Sequence, residues 1–589
     1  MTLSRNVVRL LSMLRSLGSC FSLGILIFVV FSVDCVAAAK PNIVLITLDS
    51  TRADRMGFLG ARGTLTPSLD GLAHQGIVFT QAYAQGPLTV VSNATILTGA
   101  YPQTHQASEF GVLLAAALPY LPDLLHGAGY RTAAFVGSVL LDPRNGPFQN
   151  YDRGFDVYDA GFHQPQRNES RFQSVERHGD QVIARATKWL AANKQRPFFL
   201  WVQLQDPRGA YGTSYDRAIA AADAAVGKLL NFLRTNSLYE DALIVAASSQ
   251  GESLGVHGED THGIFLYDET THVPLVLKLP KDQMAGKQIK NRARLLDIAP
   301  TVLAEAGIPV PAQMQGQSLM RIAQAGSQAD QPAYARSELP RQGFGCSVLE
   351  SWRAGKYLYI RAPNPELYDL SVDPNATRNL AQSAKATLDT MASQLQALDS
   401  RLGNEPGKSA GSGLTSSEMR KLASLGYVGL QKSGGSVNAA TEGTDPKDVI
   451  AAVNQTLAAL LELDDGKPEK AIPALRQVIA AQPTTFLAQY GMGTALAQQQ
   501  QYAEAIGYLH KAIELQPDSA WAHYEMGISL MKTGDFKTSA VHLEIASGRL
   551  PGFSALHSML AEVYEHLGRG PEAARERTKA SQGRMINNN

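Results

Sequence analysis

The chain reads as an α/β protein, a mixed or parallel sheet covered by helices on both faces, followed by an all-α repeat array. Three observations predict this. Ile43, Val44, Leu45 and Ile46 form an unbroken apolar run with no polar face, as a strand buried on both sides requires. From residue 40 to about 401 such runs alternate with helical patterns. Beyond Asp448 the sequence repeats every 34 residues.

The elements follow in order. Residues 1–39 have a basic start at Arg5, Arg9 and Arg15, an apolar stretch over 17–33 and a small-residue end at Ala37, Ala38 and Ala39. This predicts a signal peptide cleaved before Lys40, and so export to a periplasmic or extracellular space. The alternative is an uncleaved membrane anchor, since the stretch approaches the ~20 residues that span a bilayer. Candidate strands lie at 43–47, 77–84, 132–137, 197–204 and 243–247, and 218–233 carries apolar residues at helical spacing. Strand-like pieces recur over 336–368, among them Leu358, Tyr359 and Ile360. The α/β domain is placed at 40–402. Residues 403–448 read as a linker, rich in Gly, Ser, Asn and Pro over 403–413 and 431–447, around a short helix over 414–430 that Thr415 and Glu418 would cap.

About four repeats fill 449–582, with a tail at 583–589. Pro483, Pro517 and Pro551 fall between repeats, where no helix has to continue. Small residues at Ala459, Gly493, Gly527 and Ala561, and at Ala471, Ala505, Ser539 and Ala573, let paired helices approach. Gly466, Gln500, Gly534 and Gly568 keep the same interval. The pattern resembles tetratricopeptide (TPR) repeats, which implies a superhelix whose concave face holds a protein or peptide.

Composition excludes several classes. The 589 residues carry 53 basic and 53 acidic side chains, so no basic footprint for nucleic acid exists. Cys20 and Cys35 fall in the targeting segment, leaving Cys346 in the mature chain. An internal disulfide framework and a Cys-based zinc cluster are thereby excluded.

Asp49 stands where the first strand would leave the sheet, at the edge where open α/β folds place their ligands. The segments 66–102, 199–211, 251–280, 295–311 and 366–381 continue, in order and spacing, a pattern that resembles the sulfatase family of the alkaline phosphatase superfamily. The resemblance covers about 40–400. It implies an alkaline-phosphatase-like sheet covered by helices on both faces, with a small C-terminal antiparallel subdomain, ahead of the all-α TPR array. It also implies a hydroxyl-bearing nucleophile at a helix start beside a divalent metal, which lowers the nucleophile's pKa and offsets the charge of sulfate or phosphate oxygens.

The family motif departs at its centre. Sulfatases make formylglycine from the Cys of Cys-x-Pro-x-Arg, which falls here on Thr89, Val90, Val91, Ser92 and Asn93. No formylglycine can form, and Thr89 takes the nucleophile position, as in related phosphodiesterases; as a purely structural residue it would cap a helix starting near Ser92. The metal-binding Asp-His or Asp-Asn pair is replaced by Ser249 and Gln250, and the second Asp of an Asp-Asp pair by Ser50. Of four expected ligands, only Asp49 and Thr89 remain. Ca²⁺, Mg²⁺, Mn²⁺ or Zn²⁺ would then have one carboxylate, with Ser249 and Gln250 offering neutral oxygens.

Arg208 replaces a His that protonates the leaving group, and a guanidinium with pKa above ~12 cannot be that acid. Gln203 also stands where relatives have His. His262 keeps a position that contacts substrate oxygens, and His272 replaces a frequent Arg. His257, His262 and His272 lack the spacing of a zinc site. Two readings result. One is an exported esterase with Thr89 as nucleophile, Asp49 on a metal, and Arg208 and His262 on the anionic ester. The other, which the ligand losses favour, is a pseudoenzyme that needs no cofactor and whose repeats bind a partner.

Overall fold

The computed structural model describes residues 40–403, except 64, 108–113, 144–149, 162–176, 196, 207–213 and 326–329, and residues 441–585, except 442. The predicted signal, most of the linker with its short helix, and Arg208 lie outside the described residues. Among those described, no helix is long and apolar enough to cross a membrane.

Eight strands form the main sheet: β1 (Asn42–Leu48), β2 (Ile77–Phe79), β3 (Arg131–Val136), β4 (Val157–Asp159), β5 (Phe198–Leu204), β6 (Ala242–Ser248), β7 (Leu275–Lys278) and β8 (Lys287–Ile289). Their order is β8-β2-β7-β6-β1-β5-β3-β4. All neighbours are parallel except β7, which runs against β6 and β2. The central β1 pairs Leu45 with Trp201 on one side and Val245 on the other. Its alternate residues feed two cores. Val44, Ile46 and Leu48 pack with Leu200, Val202, Val226 and Leu229, whereas Ile43 and Leu45 pack with Trp201, Val245, Val90 and Val302.

The first core is covered by α1 (Pro67–His74), α3 (Gly179–Asn193) and α4 (Tyr215–Thr235), the second by α2 (Thr89–Thr98) and α5 (Ile298–Glu305). The segment 77–84, expected as one strand, is two: Ala82–Tyr83 leaves the main sheet to join His272–Val273 and Ala293–Arg294. Beyond it, β9 (Ala333–Ser337), β10 (Leu349–Ala354), β11 (Tyr357–Arg361) and β12 (Glu366–Asp369) make an antiparallel meander. Two further helices, α6 (Leu339–Phe344) and α7 (Lys385–Gly403), belong to this half.

The repeat array is four antiparallel pairs: α8 (Ile450–Asp464) with α9 (Pro468–Ala481), α10 (Phe486–Gln498) with α11 (Tyr502–Leu515), α12 (Ala520–Thr533) with α13 (Phe536–Arg549), and α14 (Ser554–His566) with α15 (Gly570–Met585). The small residues lie at the closest approaches: a Cβ on Gly493 would fall 2.5 Å from Leu509, and one on Gly527 2.6 Å from Leu543. The array does not hang on a free tether. Thr444 bridges Cys346, Lys447 pairs with Glu366 at 2.7 Å, and Leu487 of α10 packs on Gly343 of α6. One apolar cluster therefore runs from Leu88 and Phe265 through Leu339 and Phe344 into Leu487, Met492 and Leu509.

Candidate active site

Parallel register sets the floor of the site. Leu48 is level with Leu204 and Ser248, so the chain emerges from three central strands together. Asp49 N donates to Leu204 O at 2.9 Å, and Ser249 N to Leu48 O at 2.8 Å. Ser50 follows with φ of +51°, a left-handed turn uncommon for a residue with a side chain, and its Oγ is buried without a partner. This reversal leaves the Asp49 carboxylate facing the start of α2.

Thr89 is the first residue of α2, with Leu88 before it in extended conformation. The helix thus begins at Thr89, not near Ser92 as the sequence indicated, and Thr89 does not cap it. Ser92 instead donates its hydroxyl to Gly86 O at 2.6 Å, closing the loop that leads into the helix. Thr89 Oγ1 donates to Asp49 Oδ2 at 2.9 Å, Ser249 Oγ to Asp49 Oδ1 at 2.5 Å, and Gln250 Nε2 to Thr89 Oγ1 at 3.3 Å. Asp49, Thr89, Ser249 and Gln250 are all buried. The four positions named from sequence for a metal site therefore form one connected cluster.

That cluster does not fit a divalent cation. It contains one carboxylate, and each of its oxygens already receives an O–H. Gln250 Oε1 and Asn93 Oδ1 are buried acceptors without a donor, but as neutral amide oxygens they do not supply the missing charge. Among the described residues, no three His, Cys, Asp or Glu side chains converge on a point where a metal could sit.

His262 enters from the loop after Gln250. Its Nδ1 lies 3.1 Å from Glu252 Oε2, and both side chains are buried. The next residue, Gly263, has φ of +112°, and a Cβ there would meet Leu88 at 3.0 Å and Leu339 at 2.8 Å, so this residue must be glycine for the loop to close over the start of α2. Glu259, in the same loop, accepts from the backbone N–H of Ile264 and Phe265; burial nevertheless pushes its carboxyl up to about 7. Sequence reasoning overlooked Glu252 and Asn93 as members of the site. Asn93 donates to Thr89 O at 2.7 Å, and its i+4 spacing from Thr89 was the available signal.

The remaining candidates are placed elsewhere. Gln203 Oε1 accepts from the N–H of Gly137 and Ser138, each at 2.9 Å, tying β5 to the end of β3. Asp206 accepts from Gly179 N at the start of α3. His257 stacks on Tyr267 and pairs with Glu269, and His272 stacks on Tyr83 with Nε2 3.0 Å from Thr80 O, so neither joins His262.

Comparison with known proteins agrees with this architecture. The sulfatase family model matches residues 41–308, that of the N-sulphoglucosamine sulphohydrolase C-terminal region matches 260–401, and that of the tetratricopeptide repeat matches 456–520. An ulvan-active sulfatase of Formosa agariphila is 24% identical over 410 residues, covering 61% of this chain and 80% of the relative. Human arylsulfatase K is 24% identical over 437 residues, covering 59% and 80%. Among solved structures, the phosphonate monoester hydrolase of Agrobacterium radiobacter superposes with a TM-score of 0.51 at 20% identity, over 62% of this chain and 96% of that one. A structure solved with its substrate D-glucosamine-2-N,6-O-disulfate gives 0.52 at 20% identity, over 63% and 99%. The two sulfatase-related family models together place residues 41–401 in the sulfatase family, with a tetratricopeptide array attached.

Proposed function

We propose that this chain is an exported, catalytically impaired member of the sulfatase family whose tetratricopeptide array provides its working surface, by holding a protein or peptide. One observation carries the reading: both oxygens of Asp49 are hydrogen-bonded by the hydroxyls of Thr89 and Ser249, where relatives would gather charged ligands around a metal. Exchange of a carboxylate and an imidazole for a hydroxyl and an amide removes the charge that offsets dehydration of a divalent ion. Without that ion, neither nucleophile activation nor charge neutralisation on a sulfate or phosphate ester is supplied from this cluster. The apolar start at 17–33 and the small-residue end before Lys40 support export.

A second reading rests on the same contact. Thr89 Oγ1 donates to Asp49 at 2.9 Å, a hydroxyl and a carboxylate within proton-transfer reach, as a Thr nucleophile and its base would be. His262, held by Glu252, and Arg208 would then face the anionic ester. Calorimetric titration of the purified exported protein with Ca²⁺, Mg²⁺, Mn²⁺ and Zn²⁺, beside turnover of an aryl sulfate and an aryl phosphate, separates the two. The scaffold reading expects neither tight metal binding nor turnover, and expects Ser249→Asp with Gln250→His to raise metal affinity. Stoichiometric metal on the wild type, with turnover abolished by Thr89→Ala, would establish the hydrolase instead.

A further inference from the structure

The first helices of the repeats, α8, α10, α12 and α14, pack on one another across the repeat boundaries more closely than the second helices do. The array therefore curves with the first helices inside, and their free faces line its concave side. On α12, Trp521, Tyr524, Glu525 and Ile528 stand at i, i+3, i+4 and i+7, which puts them on one face, while Gly527 turns away to receive Leu543 of α13. Trp521 and Tyr524 pack edge to face with Phe553, at 5.3 and 5.2 Å between ring centroids. From α10, Tyr490 stacks on Phe486 at 6.0 Å and lies close enough to Glu525 to feel its charge. The concave side at this level is aromatic, with a carboxylate set among the rings.

Glu525 is the unusual member. It is half-buried, and among the described residues its carboxylate accepts no hydrogen bond and pairs with no Lys, Arg or His. Burial pushes its carboxyl up to about 7. Burial and then the charge of Glu525 push the Tyr490 phenol above its ordinary value, and Asp464 of α8 adds to this. Lys532, the base in the last turn of α12, is exposed. An unpaired carboxylate withdrawn from water costs free energy that nothing in the fold offsets. The repeat does not require an acid there either: one period earlier the position is Gly491, and one period later Met559.

We propose that Glu525, with Tyr490 and Tyr524 beside it, anchors the partner of this array by taking the guanidinium of an arginine. The assignment rests on the reading that the array holds a protein or peptide, and gives that partner a chemistry. A guanidinium suits both parts of the place: its plane stacks on aromatic rings, and its fork of N–H donors meets the two carboxylate oxygens. The ammonium of lysine is more strongly hydrated and has no plane to stack, so it is the weaker occupant.

Selection of random short peptides on the full chain, followed by citrulline replacement in the binders, tests this. Binders are expected to carry an arginine whose replacement by citrulline, which keeps the plane and removes the charge, lowers affinity roughly tenfold or more. Glu525→Gln in the protein should produce the same loss, and the two losses should not add, because they remove one contact. The free variant should also unfold at a higher temperature than the wild type, since an unpaired charge is gone; a purely structural role for Glu525 requires the reverse. Glu525→Met copies Met559 and serves if the first variant does not fold. Binders indifferent to citrulline, losses that add, or a destabilised variant would overturn the assignment while leaving an array that holds peptides. Selection of no peptide at all would overturn the underlying reading as well.

Discussion

Asp49 and Thr89 decide how this site is understood, because the hydrogen bond between them joins the end of β1 to the start of α2. Removing the Thr89 hydroxyl leaves a buried carboxylate oxygen short of a donor. Hydrogen bonds to charged groups contribute about 1.5–3 kcal/mol, so Thr89→Ala should lower stability by roughly that amount in chemical denaturation. An unchanged midpoint would show that the contact contributes nothing in solution. Glu259 offers a pH test at the same scale. Its folded value is raised to about 7 by burial, so its contribution is fully present below the unfolded carboxylate range and is lost as pH rises through 7. Glu259→Gln should flatten the decline in stability between pH 5 and 8, by at most about 3 kcal/mol. A parallel decline in wild type and variant would place the titration elsewhere.

At the scale of elements, the helix pairs of the array pack closely, and the array also holds the site loop by hydrogen bonds. A Cβ on Gly527 would lie 2.6 Å from two atoms of Leu543, which is itself fully buried. Gly527→Ala should therefore cost about 1–3 kcal/mol through overpacking, outweighing the better helix propensity of alanine. A stabilised variant in thermal unfolding would mean that α12 and α13 have room to separate. The first array helix also grips the loop that carries His262: Asn454 Nδ2 donates to Gly258 O at 2.8 Å, and Asp260 N donates to Asn454 Oδ1 at 3.2 Å. Asn454→Ala should speed hydrogen exchange across residues 253–262 without affecting β1 or β6. Equal protection in both proteins would mean that the loop is held from the sheet side alone.

For the molecule as a whole, the array and the α/β half share one apolar cluster, and residues 41–589 form a single compact unit. Cleavage within 404–440 should consequently leave two fragments that co-elute in size exclusion and unfold together, because Leu487 on Gly343 and Lys447 on Glu366 hold them without a covalent link. Separate elution of two folded fragments would show that this interface is too weak to act as one core.

Much of this was legible in the chain itself. The run through Ile43–Ile46 is apolar on both sides because the strand is central, and the 34-residue interval survives because each helix pair meets the same neighbour. The clustering of Asp49, Thr89, Ser249 and Gln250 was foreseeable from motif spacing, since parallel strands end level and deliver their next residues to one edge. What the sequence could not determine is direction and partnership. That Thr89 opens α2, that Glu252 meets His262, and that Gly343 receives Leu487 all depend on how the chain packs in three dimensions. The buried histidines of α12 and α13 are the clearest case: His523 and His542 are 19 positions apart, and only the antiparallel packing of α12 on α13 brings their rings within one hydrogen bond.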